Sequence, residues 1–114
     1  MTDGIMSTIE NYHAHVYYDL ADREQALKLC TDAGQAFGVK IGRMHDKPVG
    51  PHPRGSCQLT IGIEQFATVI PWLIVNRRGL TIFTHAQTGN ALRDHTDHVV
   101  WLGPSETLKL SALG

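Results

Sequence analysis

Residues 12–19 read YHAHVYYD, and this stretch determines how the rest of the chain can fold. Its side chains alternate with a period of two, which is typical of a β-strand. One face of the strand carries Tyr12, Ala14, Val16 and Tyr18. The opposite face carries His13, His15 and Tyr17. We therefore predict a strand that turns an apolar face towards a core and a histidine-rich face away from it.

The pattern that follows this strand predicts two helices and four further strands. The first helix is capped by Asp19 or Asp22 and ends at Gly38, with apolar residues at helical spacing before that glycine. The second begins near Phe66 and ends at Gly79, and Pro71 is expected to kink it or delay its start. The four strands are predicted at residues 39–45, 57–63, 80–85 and 98–102, and a loop rich in proline and glycine fills residues 46–55.

This order of elements predicts an α+β fold of the ferredoxin-like sandwich type, βαββαβ with a short extra strand. Two helices would cover one face of an antiparallel sheet. We expect the fourth strand to run antiparallel to the first strand, and the third strand to run parallel to it. The length of 114 residues suits one domain. We assign residues 10–114 to this domain and residues 1–9 to a flexible tail.

The composition limits the classes of partner. Ten basic residues against eleven acidic ones give a formal charge of −1, which argues against a nucleic-acid backbone or a charged membrane surface as partner. Two distant cysteines predict no disulfide framework. We find no pattern of a secretory leader and no apolar stretch of membrane-spanning length. We therefore expect a reduced, cytoplasmic protein without a nucleic-acid or membrane partner.

Seven histidines stand out from this ordinary composition. Histidine titrates near neutral pH and is the commonest metal ligand. In the predicted topology, most of the seven converge at one end of the sheet face that no helix covers. Such a face is either solvated or closed by a second subunit. We expect a homodimer whose apolar anchors are Tyr17, Phe83 and Trp101.

Several histidines also have local patterns of their own. His13 and His15 share one strand face, which suits two ligands of one ion, and His52 lies between two prolines that fix its backbone. His95 and His98 adjoin acidic residues that can fix their tautomers. Each histidine alone is more typical of a hydrogen-bonded surface residue. The cluster as a whole predicts a metal site or an acid–base site.

Four segments of the chain combine motifs in a specific way. They read YHAHVYYD at residues 12–19, GRMHDKPVGPHP at 42–53, IPWLIVNRRGLTIFTH at 70–85 and TGNALRDHTDHVVWLG at 88–103. Together they resemble the DOPA 4,5-dioxygenase family of small bacterial and fungal proteins. The resemblance implies a ferredoxin-like fold. It also implies the chemistry of the characterised fungal members, which open the ring of L-DOPA beside its diol with O₂ and non-haem iron(II).

The resemblance places His15, His52, His85 and His95 in motifs of the family. From these positions and the predicted topology we assign roles to the site residues. Metal binding is assigned to His15, His52 and His85, with His13 competing with His15 for that role. Acid–base or substrate contacts are assigned to His13, His95 and His98. Substrate binding is assigned to Tyr17, Arg43, His45 and Gln58.

Gln58 departs from the family pattern, because fungal members tend to carry an acidic residue near this position. Glutamine cannot supply the anionic ligand of a site built from two histidines and one carboxylate. The site would then need a third histidine or another carboxylate, such as Asp46.

The leading hypothesis is an extradiol dioxygenase that opens a small aromatic diol with O₂ at iron(II), for which zinc or another divalent metal can substitute. One alternative is a cofactor-free isomerase or lyase that uses the histidines directly for acid–base chemistry. The other is a module that binds a metal or a small molecule without catalysis. Metal content separates the second hypothesis from the other two. Ring opening of a catechol in air separates the first from the third.

Overall fold

The computed structural model describes residues 9–113, and its elements follow the predicted order with one short helix added. The strands are β1 (Asn11–Tyr18), β2 (Lys40–Ile41), β3 (Gly55–Ile61), β4 (Ile82–Gln87) and β5 (Val99–Leu102). The helices are α1 (Arg23–Phe37), α2 (Phe66–Asn76) and the short α3 (Ala91–Asp94). Turns of 3₁₀ helix cover Leu20–Asp22, Ile63–Gln65 and Leu110–Leu113. The predicted tail, apart from residue 9, lies outside the described residues.

The five strands form one sheet in the order β2-β3-β1-β4-β5, and each adjacent pair is antiparallel. The predicted α+β fold with an antiparallel sheet is confirmed. The predicted direction of the third strand is wrong, because β3 runs antiparallel to β1, with Tyr12 opposite Ile61 and Tyr18 opposite Gly55. The reason is the split βαβ connection. Since α1 returns the chain to the end of the sheet where β1 began, β1 and β2 are the parallel strands and β3 lies between them.

The two long helices pack on one face of the sheet, as predicted. Ala14, Val16 and Tyr18 of β1 are buried in the core that these helices share with the sheet. Cys30 of α1 and Cys57 of β3 lie in the same core as free thiols. His13 and His15, which alternate with the core residues of β1, are therefore directed to the opposite face.

Local signals set several element boundaries. α1 ends at Gly38, whose φ of +70° is a conformation that favours glycine. Pro71 lies within α2 at an exposed position and does not end the helix. The second strand is shorter than the predicted residues 39–45. The chain leaves the sheet at Gly42 and returns to it through an isolated bridge at His45.

The second face of the sheet is covered by the chain itself, which corrects the expectation that it is open. α3 lies against β4, and the loop at residues 46–54 brings His52 against Tyr17. The C-terminal residues 103–113 are fastened to that loop, with the amide of Lys109 donating to the carbonyl of Pro51 at 2.8 Å. Tyr17 and Phe83 are fully buried within the single chain and cannot act as dimer anchors. The homodimer stays a prediction, without support from these two side chains.

No helix found between residues 9 and 113 combines the length and the apolar character needed to cross a bilayer.

Leu73 and Ile74 test how α2 sits on the core. Leu73 is fully buried, whereas its neighbour Ile74 is 52% exposed. We expect Leu73→Ala to lower the free energy of unfolding by about 2–5 kcal/mol through lost burial and a cavity. The matched change Ile74→Ala should stay within about 0.5 kcal/mol of wild type. Urea unfolding measures both, and equal losses would contradict this packing.

Candidate functional site

The centre of the candidate site is a group of three histidines on β1 and β4. The register of these two antiparallel strands places His13 opposite His85 and His15 opposite Phe83. Because opposite residues in a sheet share a face, the three imidazoles lie side by side. One ring nitrogen from each of His13, His15 and His85 lies within 4.8 Å of the others. The alternation of β1 and its register with β4 are enough to build this group.

The closest pair in this group is His15 and His85, whose Nε2 atoms are 3.1 Å apart. The Nδ1 atom of His85 lies 3.0 Å from the carbonyl oxygen of Ala86, which can only accept a hydrogen bond. His85 therefore carries its proton on Nδ1 and has a lone pair on Nε2. A hydrogen bond between the two rings then requires the proton of His15 on Nε2.

His52 reaches the group from the loop between β2 and β3. Its buried ring packs against His15 with 4.1 Å between ring centroids, and its Nδ1 lies 2.8 Å from the hydroxyl of Tyr17. Pro51 and Pro53 flank it and restrict the backbone conformations available to the loop. His52 thus contacts the three-histidine group from the side but is not a member of it.

His95 follows α3 and packs against His85 with 4.2 Å between ring centroids. Its Nδ1 donates to the carbonyl of Ala91 at 2.7 Å, so Nε2 is the ring nitrogen that this bond does not engage. This bond orients the ring towards β4. Ring contacts thus connect five imidazoles, which we call the histidine cluster: His13, His15, His52, His85 and His95.

His98 has a different environment, because its Nδ1 donates to Oδ1 of Asp94 at 2.8 Å. Asp94 is buried and accepts two further hydrogen bonds, from the amide and the hydroxyl of Thr88. The ring contacts found among the described residues do not connect His98 to the other histidines. His98 thus anchors the turn between α3 and β5 beside the cluster.

A cavity of about 180 Å³ lies next to the histidines. Its walls come from β1, β3, the segment at residues 42–45 and the proline-containing loop. It is lined by His15, Gly42, Arg43, His45, Val49, His52, Ser56 and Gln58. Three of the four residues assigned to substrate binding therefore line this cavity, namely Arg43, His45 and Gln58. The fourth, Tyr17, does not line it but is bonded to His52, which does. The cavity is smaller than the ~300–1,000 Å³ usual for ligand pockets, which favours a ligand no larger than one substituted ring.

The surroundings of His13, His15, His52 and His85 favour the neutral form of each of these four imidazoles. Burial, with a contribution from the neighbouring His95, lowers the pKa of His52 and of His85 to about 4. Burial also sets the pKa of His15 well below its ordinary value, with contributions from His52 and His85. The pKa of His13 is lowered by burial and by His95. Neutral imidazoles retain the lone pairs that metal binding or proton abstraction requires.

Asp46 does not supply a carboxylate to the site. Its Oδ1 accepts hydrogen bonds from the hydroxyl of Tyr18 and from Nε of Arg23, each at 2.8 Å. Tyr18 belongs to the helix-covered core, so Asp46 lies on the opposite side of β1 from the histidines. The metal-capable group found among residues 9–113 consists of histidines alone.

Two features of the site have only a weak sequence signal. Asp94 precedes His95 in a polar stretch, and its burial depends on the contact between α3 and β4. Arg54 pairs with Glu106, which is 52 positions away. Long-range pairs of this kind follow from the folded arrangement and not from a local pattern.

Comparison with known proteins gives one consistent result. The profile of the Dopa 4,5-dioxygenase family matches residues 12–112. The chain is 37% identical over 117 aligned residues to a "DOPA 4,5-dioxygenase" of Amanita muscaria, covering 94% of this chain and 51% of that protein. It is 32% identical over 113 aligned residues to an "Uncharacterized 21.2 kDa protein" of Botryotinia fuckeliana, covering 88% of this chain and 61% of that protein. The chain thus spans about half to three-fifths of the length of these curated relatives.

A crystal structure of a "putative dioxygenase" from Nostoc punctiforme shares the fold. It superposes with a TM-score of 0.92 at 42% sequence identity, and the match covers 95% of this chain and 94% of that chain. At this level of identity, the two chains share the arrangement of the sheet as well as its topology.

The lowered histidine pKa values predict that the metal-free protein loses stability in acid. The folded state keeps His85 neutral down to about pH 4, whereas the unfolded chain takes up protons near pH 6.5. Since the unfolded state binds more protons in this window, the free energy of unfolding must fall as the pH drops through it. We expect His85 alone to account for about 2 kcal/mol of the loss between about pH 7 and about pH 5.

Urea unfolding of His85→Gln at these two pH values checks this expectation. The variant should show a pH dependence smaller by that amount. Thr84→Val is the matched control on the same strand, because it removes a buried hydroxyl that has no hydrogen-bond partner among the described residues and does not titrate. An unchanged pH dependence in His85→Gln would contradict the neutral state of this ring.

Proposed function

The chain belongs to the Dopa 4,5-dioxygenase family, and we propose that it is an extradiol dioxygenase that opens the ring of a small catechol with O₂ at a non-haem iron(II) site. The observation that carries this proposal is the group formed by His13, His15 and His85 beside a small cavity. Membership of a dioxygenase family supports the class of reaction. The iron, the catechol and the position of ring opening are our inference from the site and the relatives.

The three histidines fit a bound metal ion. Imidazole nitrogens lie about 2.0–2.1 Å from a metal ion that they bind, so two nitrogens that share an ion would lie within about 4.2 Å of each other. The Nε2 atoms of His15 and His85 already stand 3.1 Å apart. Neutral imidazoles suit iron, zinc, copper or nickel, and three of them leave a divalent ion with its positive charge and open positions. Such an ion attracts an anionic catecholate.

The third ligand distinguishes two versions of the site. The resemblance favours His52 together with His15 and His85, whereas the distances favour His13 as the third ligand. The ring of His52 packs against His15 but lies outside the three-histidine group. We therefore propose His13, His15 and His85 as the metal ligands and His52 as a group that handles protons.

When bound, iron(II) would bring the diol and O₂ together in one coordination sphere. The chain itself supplies the proton handling. In the tautomer whose Nδ1–H donates to the oxygen of Tyr17, His52 has a lone pair on Nε2 and can take a proton from a catechol hydroxyl in the cavity that it lines. Burial raises the pKa of Tyr17, so this residue stays a neutral phenol that orients the imidazole.

The cavity wall supports substrate binding. Arg43 and His45 line the cavity together with His15 and His52, and their guanidinium and imidazole can hold a carboxylate or a phenolate there. Gln58 donates to Thr60 at 3.1 Å, which leaves its amide oxygen as an acceptor for a hydroxyl. We propose His95 as a second group for proton transfer, because Ala91 engages only its Nδ1 and its ring packs against His85.

Reconstitution with iron(II) under anaerobic conditions tests the proposed function directly. L-DOPA, protocatechuate and caffeate are then added in air, and O₂ consumption, yellow colour and product mass are measured. We expect one O₂ to be consumed per catechol and both oxygen atoms to appear in a ring-opened product. Chelation of the metal should abolish the reaction. Turnover that survives chelation would instead support cofactor-free acid–base chemistry, and bound metal without O₂ consumption would support a binding module.

Single substitutions separate the ligands from the proton-handling residues. We expect His13→Ala, His15→Ala and His85→Ala to lose both iron and turnover. His52→Ala should keep iron and slow turnover by roughly 10²–10⁴-fold. His98→Ala is the matched histidine control and should keep iron, because its ring is bound to Asp94 outside the cluster. Loss of iron from His52→Ala with full retention in His13→Ala would reverse the assignment of the third ligand.

A further inference from the structure

We propose that Arg54 is a positioning residue. Its ion pair with the C-terminal segment of the chain restrains the loop that carries His52, and this restraint keeps the His52 ring at the cavity. This segment, residues 103–113, is called the C-terminal strap. The proposal rests on the proposed role of His52 in proton handling. It adds a residue, and a part of the chain, on which the geometry of the site depends.

The first attachment is the ion pair between Arg54 and Glu106 of the strap. Nε of Arg54 donates to Oε1 of Glu106 at 3.1 Å, and Nη2 donates to Oε2 at 2.8 Å. This is the two-pronged pairing that fixes a guanidinium and a carboxylate in one plane. The two side chains are only 28% and 25% exposed, so water and salt screen the pair less than a surface pair. A further contact, from Nη1 to Asp19 at 3.3 Å, is to a carboxylate that is 69% exposed.

The second attachment lies on the other side of His52. The amide of Lys109 in the strap donates to the carbonyl of Pro51 at 2.8 Å. The strap therefore grips the loop at residue 51 and again at residue 54, with His52 between the two points. Proline rings on both sides of His52 transmit this restraint, because they leave the backbone few alternative conformations.

The held segment ends directly in the site. The ring of His52 packs against His15 and meets the hydroxyl of Tyr17, and together with Val49 it forms one wall of the cavity. A shift of the loop would lengthen the bond between His52 and Tyr17 and would reshape that wall. Small displacements of a group that reacts with a substrate lower the rate far more than they lower stability.

An ordinary surface ion pair would not have this effect. The pair between Lys28 and Asp32 on α1 is exposed and joins residues only four positions apart. Such a pair contributes little to either stability or geometry. The pair between Arg54 and Glu106 instead joins two segments that are 52 positions apart. It restrains one segment against the other.

The decisive experiment removes the charge of each acidic partner of Arg54 in turn and compares the two variants. Glu106→Gln removes the charge of the part-buried partner, and Asp19→Asn removes the charge of the exposed one. In metal-free protein labelled with ¹⁵N-histidine, we expect Glu106→Gln to shift the ring-nitrogen signals of His52. We also expect it to speed exchange of the His52 amide, which is bonded to Val49 at 3.1 Å. Asp19→Asn should leave these signals in place, and so should Lys28→Gln.

These measurements do not depend on activity, so they stand whether or not the protein opens catechols. Unmoved His52 signals in a folded Glu106→Gln protein would overturn the proposal. If that variant fails to fold, Arg54→Lys takes its place, because lysine keeps the charge and loses the two-pronged geometry. Unmoved signals in that variant would overturn the proposal equally.

Activity supplies the second readout once ring opening is established. We expect Glu106→Gln to lower kcat by about 10–100-fold with a smaller change in KM. We expect Arg54→Lys to fall between that variant and wild type, and Asp19→Asn to match wild type. Shifted His52 signals with unchanged kcat would show that the strap does not position a group that acts in turnover, and would also overturn the proposal.

Discussion

The alternation of β1 is the constraint on which the rest of the structure depends. This strand is paired on both edges and buried on both faces, so each of its side chains has a fixed environment. Ala14, Val16 and Tyr18 fill the space beneath the helices. A slip of one residue in its register would exchange the two sets, placing imidazoles in the apolar core and small apolar residues in the histidine cluster. The same pattern therefore selects the core and assembles the site.

Much of this could be predicted from sequence because the relevant signals are local. The period of two in residues 12–18 assigns the faces of β1, and Gly38 ends α1 through its backbone conformation. The order of elements then limits the topology to a few arrangements, and the histidines of β1 and β4 must meet in any of them where these strands are neighbours. The convergence was predictable for that reason, although the predicted direction of the third strand was wrong.

The remaining features depend on contacts between distant segments. α3 has four residues, too few to show a helical period, and the strap has no regular pattern to predict its path. The cover over the second face therefore escaped prediction, and Tyr17 and Phe83 were assigned to a subunit interface although they are buried in a single chain. The position of the His52 ring also depends on contacts between distant segments. A proline-flanked histidine is a clear signal in the sequence, but only the fold shows that its ring meets Tyr17 and lies beside the three-histidine group.

The tautomers of His15 and His85 have a consequence for how an ion enters the site. A histidine site on a protein surface is in competition with protons, so its affinity falls when the solution becomes mildly acidic. Here burial has already removed the protons, because the pKa of both rings is lowered. The ion displaces no proton to solvent from this pair, since the one on Nε2 of His15 needs only to move to Nδ1 of the same ring. Affinity should therefore vary little with acidity across the range where exposed histidines titrate, and internal tautomer exchange becomes one step in loading the ion.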